Sequence, residues 1–279
     1  MPAWFSVGAR AMFDLIVRGV GFWSPGVDSW AHARELVRTR ASWPEASAGR
    51  ATPALMPANE RRRAPDSVLL ALAVAEQACT DAGVDPAYTP SVFVSVYGDL
   101  VINDYMCATL TEASPMLSPT KFHNSVHNAP SGYWSIATGA RTQTTSIAGF
   151  RETFAAGLLE SAMQLAEGGG PVLLVAYDVA GAGPMAEVAC CTMPFGCALV
   201  LDSAGDAPPE GEIVRVRMDI VKSGGVPDRS GIPGLDALAA ANPIADGCVA
   251  LLQALATSSA RRIVLKLGPG LDLSLQTQP

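Results

Sequence analysis

Residues 144–178 read TTSIAGFRETFAAGLLESAMQLAEGGGPVLLVAYD, and this stretch decides the fold. Its β-branched start predicts a strand over 142–147, followed by a short turn of small residues and a helix with apolar residues at helical spacing. The glycines at 168–170 follow that helix, so they are a helix stop and not a phosphate-binding loop. The apolar run at 171–177 predicts a buried strand.

The same reading extends to the rest of the chain. Strands are predicted at 15–22, 91–98, 196–202, 212–218 and 262–268, and helices at 28–39, 65–82, 102–110, 132–139 and 244–257. Residues 40–65 contain four prolines and predict an irregular surface segment. Because strands alternate with helices, we expect a layered α/β fold with a substantially parallel sheet.

Composition bounds the class of protein. The chain has 279 residues, 49% of them hydrophobic and only 16% charged, and its mean hydropathy is +0.25. This predicts a single domain over 12–279, with apolar surface covered by a partner, after a loosely ordered leader over 1–11. A net charge of −7 argues against nucleic-acid binding, which needs a basic surface. No membrane span or signal-peptide layout is evident, so we expect a cytoplasmic protein.

The six cysteines show neither a C-x-x-C pair nor a histidine at ligand spacing. We therefore expect reduced, buried thiols, with no metal and no cofactor. Cys190 and Cys191 are interpreted as packed small hydrophobes and not as reactive thiols.

Two of the three histidines lie in KFHNSVHNAPSGYWSIATG at 121–139. A helix starting near Pro130 would place His123 and His127 just before it, where side chains satisfy free backbone groups or pair across a dimer seam. A scaffold or interface role is favoured. Lining a partner's substrate tunnel and acid–base work are the alternatives.

The order of elements over 144–178 resembles the nucleophile elbow of thiolase-fold condensing enzymes. Residues 118–139 resemble the part of β-ketoacyl synthases where a Pro, a Phe and an Asn-Ala lead into the dimer-interface helix. Taken together, residues 13–202 resemble the N-terminal half of a β-ketoacyl-acyl-carrier-protein synthase, with 205–279 as a reduced C-terminal part. The chain is similar to the short chain-length-factor type of aryl-polyene-type pigment pathways. The resemblance implies a thiolase-like fold and a heterodimer with an active β-ketoacyl-ACP synthase, joined through the strand before the elbow.

The resemblance places the family's nucleophilic cysteine at or near Arg151, yet no cysteine lies between Cys107 and Cys190. No histidine follows His127, although the family has two in its C-terminal half. This implies a non-catalytic subunit. Ser146 is a weak alternative nucleophile, because a serine needs an adjacent base. Two further hypotheses are a stand-alone acyltransferase or hydrolase of this fold and a purely structural stabiliser of the synthase.

The resemblance also implies roles for other side chains. Tyr133 and Trp134 are either anchors for the partner or ordinary core aromatics. Arg61, Arg62 and Arg63 could steer an acidic acyl carrier protein, or form a solvated loop. The candidate interface and tunnel residues are Phe122, His123, His127, Asn128, Tyr133, Trp134 and Phe150.

Overall fold

A single sheet forms the centre of the molecule in the computed structural model, which describes residues 12–45, 49–204, 214–224 and 226–279. The leader expected at 1–11 lies outside these residues. The eight strands of the described residues are β1 (Met12–Trp23), β2 (Ser91–Val94), β3 (Thr144–Ile147), β4 (Val172–Asp178), β5 (Phe195–Ser203), β6 (Val214–Lys222), β7 (Arg261–Gly268) and β8 (Leu271–Gln278).

The helices cover both faces of this sheet. They are α1 (Trp30–Thr39), α2 (Ala58–Arg61), α3 (Asp66–Ala82), α4 (Leu100–Leu110), α5 (Pro119–His123), α6 (Ala129–Thr138), α7 (Thr153–Gly168), α8 (Gly183–Ala189), α9 (Pro233–Ala241) and α10 (Pro243–Thr257). Every helix and strand predicted from the sequence is present, although the strand predicted over 91–98 ends at Val94. The sequence analysis missed α2, α5, α8 and α9, which are short, and β8. No described helix is long and apolar enough to cross a membrane.

The strand order is β3-β2-β4-β5-β1-β6-β8-β7. Only the pairs of β2 with β3 and with β4 are parallel, and the other strand pairs are antiparallel. The expectation of a substantially parallel sheet is therefore wrong. Strands buried on both faces show continuous apolar runs in either orientation, so hydropathy alone does not distinguish the two.

Helix α3 lies directly on the backbone of β1. A Cβ added at Gly21 would meet the Val74 carbonyl oxygen at 1.9 Å, and one at Gly19 would meet the Ala78 carbonyl oxygen at 2.3 Å. These two glycines allow the close approach of helix and strand, and α3 is buried on nearly all sides, as predicted. Helices α1, α7 and α10 pack on the opposite face of the sheet.

The parallel strands fix the position of the candidate site. Because β2, β3 and β4 run in the same direction, their carboxyl ends meet at one edge of the sheet, where α/β proteins bind ligands. The segments that follow these three strands are 95–99, 148–152 and 179–182.

Candidate functional site

The turn between β3 and α7 has the strained geometry of an elbow. Four non-glycine residues of the described chain have positive φ, and three of them, Arg40, Cys190 and Ser258, are helix C-caps. The fourth is Phe150, with φ of 52°, at the entrance to a helix. Left-handed backbone at a bulky residue costs free energy and is typical of functional turns.

Thr153 holds this turn closed. Its hydroxyl donates to the Phe150 carbonyl at 2.6 Å and accepts from the Gly149 N–H at 2.8 Å. Thr153 is fully buried at the first position of α7. The elbow is thus fixed by its own hydrogen bonds.

The strained position is Phe150, one residue before Arg151, at or near which the resemblance to condensing enzymes places the nucleophile. The Phe150 side chain is 58% exposed and makes an edge-to-face contact with Tyr97, with ring centroids 6.4 Å apart. The Arg151 guanidinium carbon lies 5.8 Å from the Phe150 ring centroid. Neither side chain offers a nucleophile, and Phe150 does not fill the core of the chain.

Ser146 lies on β3 in a chain of hydroxyl groups. Its Oγ is 3.2 Å from Ser131 Oγ, and Ser131 in turn donates to the Asn128 carbonyl at 2.9 Å. No imidazole or carboxylate of the described residues is recorded within hydrogen-bond distance of Ser146. The arrangement links β3 to α6, which fits a structural hydroxyl better than an activated one.

The two histidines before α6 have different surroundings. His127 Nε2 lies 2.9 Å from the Ser95 carbonyl oxygen, which can only accept, so this nitrogen carries a proton. His127 therefore fastens the loop before α6 to the end of β2, as the scaffold interpretation predicts. His123 is exposed at the end of α5, and the neighbouring Phe122 is 61% exposed. Asn128 is also exposed, directly before α6, which begins at Ala129.

Trp134 belongs to the core. Its side chain is only 1% exposed and packs against Phe93, with ring centroids 6.4 Å apart. The interpretation as a subunit anchor is therefore wrong for Trp134, because a side chain already buried has no surface to offer a partner. Tyr133 is partly buried against the same cluster.

The sequence analysis missed Asp178, which ends β4 and is buried at the carboxyl edge of the sheet. Its carboxylate accepts from the Ser95 hydroxyl at 2.6 Å and from the backbone N–H of Val96 at 3.1 Å and Tyr97 at 3.5 Å. Burial raises the pKa of Asp178 to about 7, although these hydrogen bonds oppose the rise. An acidic residue directly after a wholly apolar strand was the available signal.

Asn242 connects the C-terminal part of the chain to this edge. Its side-chain amide donates to the carbonyl oxygens of Asp178 at 3.1 Å and Met193 at 2.9 Å. Its side-chain oxygen accepts from the first backbone N–H groups of α10. One buried residue therefore caps α10 and fixes it against the end of β4.

The paired cysteines differ in accessibility. Cys191 is buried. Its burial, and to a smaller extent the charge of Asp178, raises the pKa of the Cys191 thiol to about 12. Cys191 is a packed hydrophobe, as predicted, but the same prediction is wrong for Cys190, which is exposed. All six cysteines are free, and the four buried ones are Cys79, Cys191, Cys197 and Cys248.

A small cavity of about 260 Å³ lies beside the elbow. Arg151, Tyr97 and Cys190 line one part of it, and Arg229 and Asp246 contribute from the C-terminal part of the chain. Among the described residues, no group of three or more histidine, cysteine or acidic side chains is arranged to hold a metal ion.

The three consecutive arginines do not act alike. The Arg61 guanidinium donates to the carbonyl oxygens of Pro53 at 3.0 Å and Met56 at 2.6 Å, so it braces the 53–61 loop. Arg62 is exposed and donates to Asn59. Arg63 is exposed as well, which leaves Arg62 and Arg63 as the accessible charges of the run.

Comparison with known proteins gives the family. A profile of the β-ketoacyl synthase N-terminal domain matches residues 30–221, which is more than half of the chain. The chain belongs to the β-ketoacyl synthase family. The family assignment and the fold agree with the expected thiolase-like N-terminal half. No curated protein matches this sequence.

Several solved structures of ketosynthase assemblies share the fold of this family member. A chain of the ketosynthase ApeO in complex with its chain length factor ApeC, from Xenorhabdus doucetiae, is 20% identical with a TM-score of 0.66, over 96% of this chain and 98% of that chain. The ishigamide ketosynthase/chain length factor is 16% identical with a TM-score of 0.62, and the match covers 95% of this chain and 99% of that chain. A type II polyketide-synthase assembly of acyl-carrier protein AntF and ketosynthase AntDE is 13% identical with a TM-score of 0.68, over 95% and 99%.

Proposed function

We propose that this chain is a non-catalytic, chain-length-factor-like subunit, which pairs with an active β-ketoacyl-ACP synthase and shapes its acyl tunnel in polyene- or fatty-acid-type biosynthesis. The observation that carries the proposal is an elbow that keeps its strained backbone while presenting a phenyl ring. Acyl transfer in this family needs a thiolate, and the nearest cysteines in sequence to Phe150 are Cys107 and Cys190. Strained backbone conformations cost free energy and are concentrated at functional positions. A strained turn without a nucleophile therefore supports a function other than catalysis for this elbow.

The edge of the sheet supports pairing. Strand β3 is an edge strand with β2 as its neighbour, and its sequence TTSI carries no charge. The opposite edge strand, β7, carries Arg261, Arg262 and Lys266, the kind of charge that discourages pairing. An uncharged, β-branched edge is a template for a further strand, which a partner subunit would supply.

Exposed apolar side chains in the segments between β2 and β3 and at the elbow support the same proposal, because exposed apolar surface is where subunits associate. The segments between β2 and β3 and around the elbow contribute Val101, Leu110, Met116, Phe122, Val126, Ile136 and Phe150. We assign the tunnel end to Phe122 and Phe150 and the surrounding contact to His123, Asn128 and Tyr133, with His127 as its internal support.

Chain length factors occur with ketosynthases in the solved assemblies of similar fold, which supports the same kind of partner here. An acyl carrier protein would reach the complex through the synthase. Arg62 and Arg63 are the exposed charges available to steer its acidic surface.

Substitution of Thr144 by proline tests the pairing. The carbonyl oxygens of Gln143 and Ile147 accept hydrogen bonds from backbone N–H groups at the two ends of β2. The backbone groups of successive residues in a strand point to opposite neighbours, so the N–H of Thr144 points to the free edge. Thr144→Pro therefore removes a hydrogen-bond donor at the free edge and keeps the backbone hydrogen bonds between β3 and β2. It also removes the contact of the Thr144 hydroxyl with the Ser91 hydroxyl, at 3.2 Å.

Co-expression with a co-encoded β-ketoacyl synthase should give one 1:1 peak in size-exclusion chromatography, and Thr144→Pro should lose it while thermal stability changes little. Thr145→Pro is the control, because it breaks the internal ladder and should lower stability. Absence of any complex with the unmodified chain would overturn the proposal. Normal co-elution of a stable Thr144→Pro variant would move the interface away from β3.

A further inference from the structure

Tyr97 contacts the elbow from the neighbouring parallel strand. It belongs to the turn that follows β2, and its ring meets the Phe150 ring edge to face, with the two planes at 85°. The Phe150 side chain is more than half exposed, so the core of the chain does not hold it in place. The orientation of the phenyl ring therefore depends on the few side chains beside it.

The turn that carries Tyr97 is fixed by hydrogen bonds on both sides of that residue. The Ser95 hydroxyl donates to the Asp178 carboxylate at 2.6 Å and accepts from the Gly98 N–H at 2.9 Å. The same carboxylate accepts from the backbone N–H of Val96 at 3.1 Å. All four of these residues are buried, and a buried, satisfied polar network is rigid. The backbone of Tyr97 is thus held in place.

The Tyr97 ring is packed as well as its backbone. It lies against the small apolar cluster of Leu100, Ala189 and Cys191, and it also packs against the main core. Tyr97 is only partly buried, which leaves part of its ring for the contact with Phe150. Aromatic pairs favour the edge-to-face arrangement, because the positive edge of one ring meets the negative face of the other. Tyr97 therefore offers a fixed ring to an exposed one.

Arg151 is the other neighbour of the Phe150 ring, and it is less suited to fix that ring. Its guanidinium carbon is 5.8 Å from the ring centroid, close to the limit of about 6 Å for a cation–π contact. Arg151 is exposed and forms no ion pair with a carboxylate among the residues that the structure describes. A long side chain with free rotamers does not hold a ring in one orientation.

The cavity of about 260 Å³ beside the elbow limits what Tyr97 can do. Tyr97 lines this cavity, together with the charged side chains of Arg151, Arg229 and Asp246. An apolar acyl chain is not favoured next to these charges, because they would lose contact with water. Tyr97 is therefore better placed to orient the Phe150 ring than to act as a second wall of the tunnel.

We propose that Tyr97 is a positioning residue, which holds the Phe150 ring across the end of the acyl tunnel. The inference rests on the proposed function, because that function assigns the tunnel end to Phe150. Tyr97 acts on product length only through the phenyl ring. Removal of either ring should therefore lengthen the products, and removal of both should have no greater effect than removal of Phe150 alone.

The first measurement needs no partner. 4-Fluorophenylalanine in place of Phe150 in the full-length chain should give a 19F NMR signal displaced from its position in the urea-unfolded chain, because the Tyr97 ring current acts on a ring held in one orientation. Tyr97→Leu should move the signal most of the way to the unfolded position, whereas Tyr97→Phe keeps a ring and should not. Tyr88→Leu is the matched control: Tyr88 is 80% exposed before the start of β2, at the strand end away from the elbow.

The second measurement uses the complex with the synthase and compares the lengths of the released chains by mass spectrometry. Tyr97→Leu should raise the ratio of longer to parent-length products several-fold, as Phe150→Ala should, and Tyr97→Phe should keep the parent ratio. Phe150→Ala combined with Tyr97→Leu should match Phe150→Ala alone. This lack of additivity separates a positioning role from a loss of stability, which would add to the effect of the first substitution.

Several results would overturn the inference: a folded Tyr97→Leu variant that leaves the 19F signal in place, an Arg151→Ala variant that releases it, or a double variant whose products are longer than those of Phe150→Ala. The Arg151→Ala result decides even if Tyr97→Leu folds poorly, because Arg151 is exposed and its truncation leaves the core intact. A stable Phe150→Ala complex with unaltered products would instead contradict the tunnel end of the proposed function. The 19F signal tests the contact between the two rings in that case as well.

Discussion

Phe150 combines a strained backbone with an exposed ring, and the two features together suggest a gate. Because the ring contacts only Tyr97 and Arg151 among the described aromatic and cationic partners, its removal should cost the subunit little stability. In a complex with the synthase, Phe150→Ala should leave the rate per condensation similar and lengthen the products, as measured by mass spectrometry of released chains. Phe154→Ala is the control: that side chain is buried in α7, and truncation should cost about 3–5 kcal/mol. Unaltered chain lengths with a stable complex would remove Phe150 from the gate.

Asp178 gives the protein a pH-dependent stability. Its pKa in the folded chain is about 7, against an ordinary value near 4, so the folded state holds the proton more tightly than the unfolded state. The free energy of unfolding should therefore fall by a few kcal/mol as the pH rises from about 4 to 7, and then level off. Urea titrations at pH 5 and pH 8 measure this slope.

Asp178→Asn should flatten the slope, because the amide does not titrate. Glu112→Gln, which removes an exposed carboxylate, should keep the slope of the parent. A parent protein that is equally stable at both pH values would show that Asp178 is ionised in the fold without penalty.

At the scale of elements, the contact of α3 with β1 depends on residues without side chains. Gly21→Ala should lower stability by about 1–3 kcal/mol or more, since the added Cβ meets backbone that cannot rotate away. Gly132→Ala is the matched control: this helical glycine of α6 has open space around it, and alanine there should stabilise by up to about 1 kcal/mol. Thermal unfolding of both variants measures the difference. Equal effects would indicate that α3 can shift away from the sheet.

The elements also show how far a single sequence leads. Long periodic segments such as α3, α7 and α10 could be predicted because their local patterns agree with their environments. Strand direction could not, because β5 carries the same apolar run whichever way it pairs. The network of Asp178 and Asn242 was missed since its partners are 64 residues apart in sequence, and only tertiary structure brings them together.

At the scale of the whole molecule, the C-terminal part is continuous with the family-matched region. Strand β6 pairs with β1, so β6, β8 and β7 extend the same sheet, and α10 packs into the core beneath it. Asn242 joins this part to the carboxyl edge, and Arg229 and Asp246 reach the cavity beside the elbow. The cavity beside the elbow is lined by three charged side chains, by Tyr97, three alanines and Pro243, and by the exposed thiol of Cys190.

The last prediction follows from that composition. Incubation of the isolated chain with an acyl-carrier thioester should leave its intact mass unchanged, because the elbow presents Phe150 and Arg151 instead of a thiol. Cys190→Ser is the control for adventitious labelling of the exposed thiol.

Phe150→Cys and Arg151→Cys each return a thiol to the elbow, yet neither should condense acyl units alone. All three histidines lie at or before position 127, and His127 Nε2 is occupied with the Ser95 carbonyl, so we expect no imidazole to assist decarboxylation. Efficient condensation by either variant, or a stoichiometric adduct on the unmodified chain that survives Cys190→Ser, would make the subunit an enzyme in its own right.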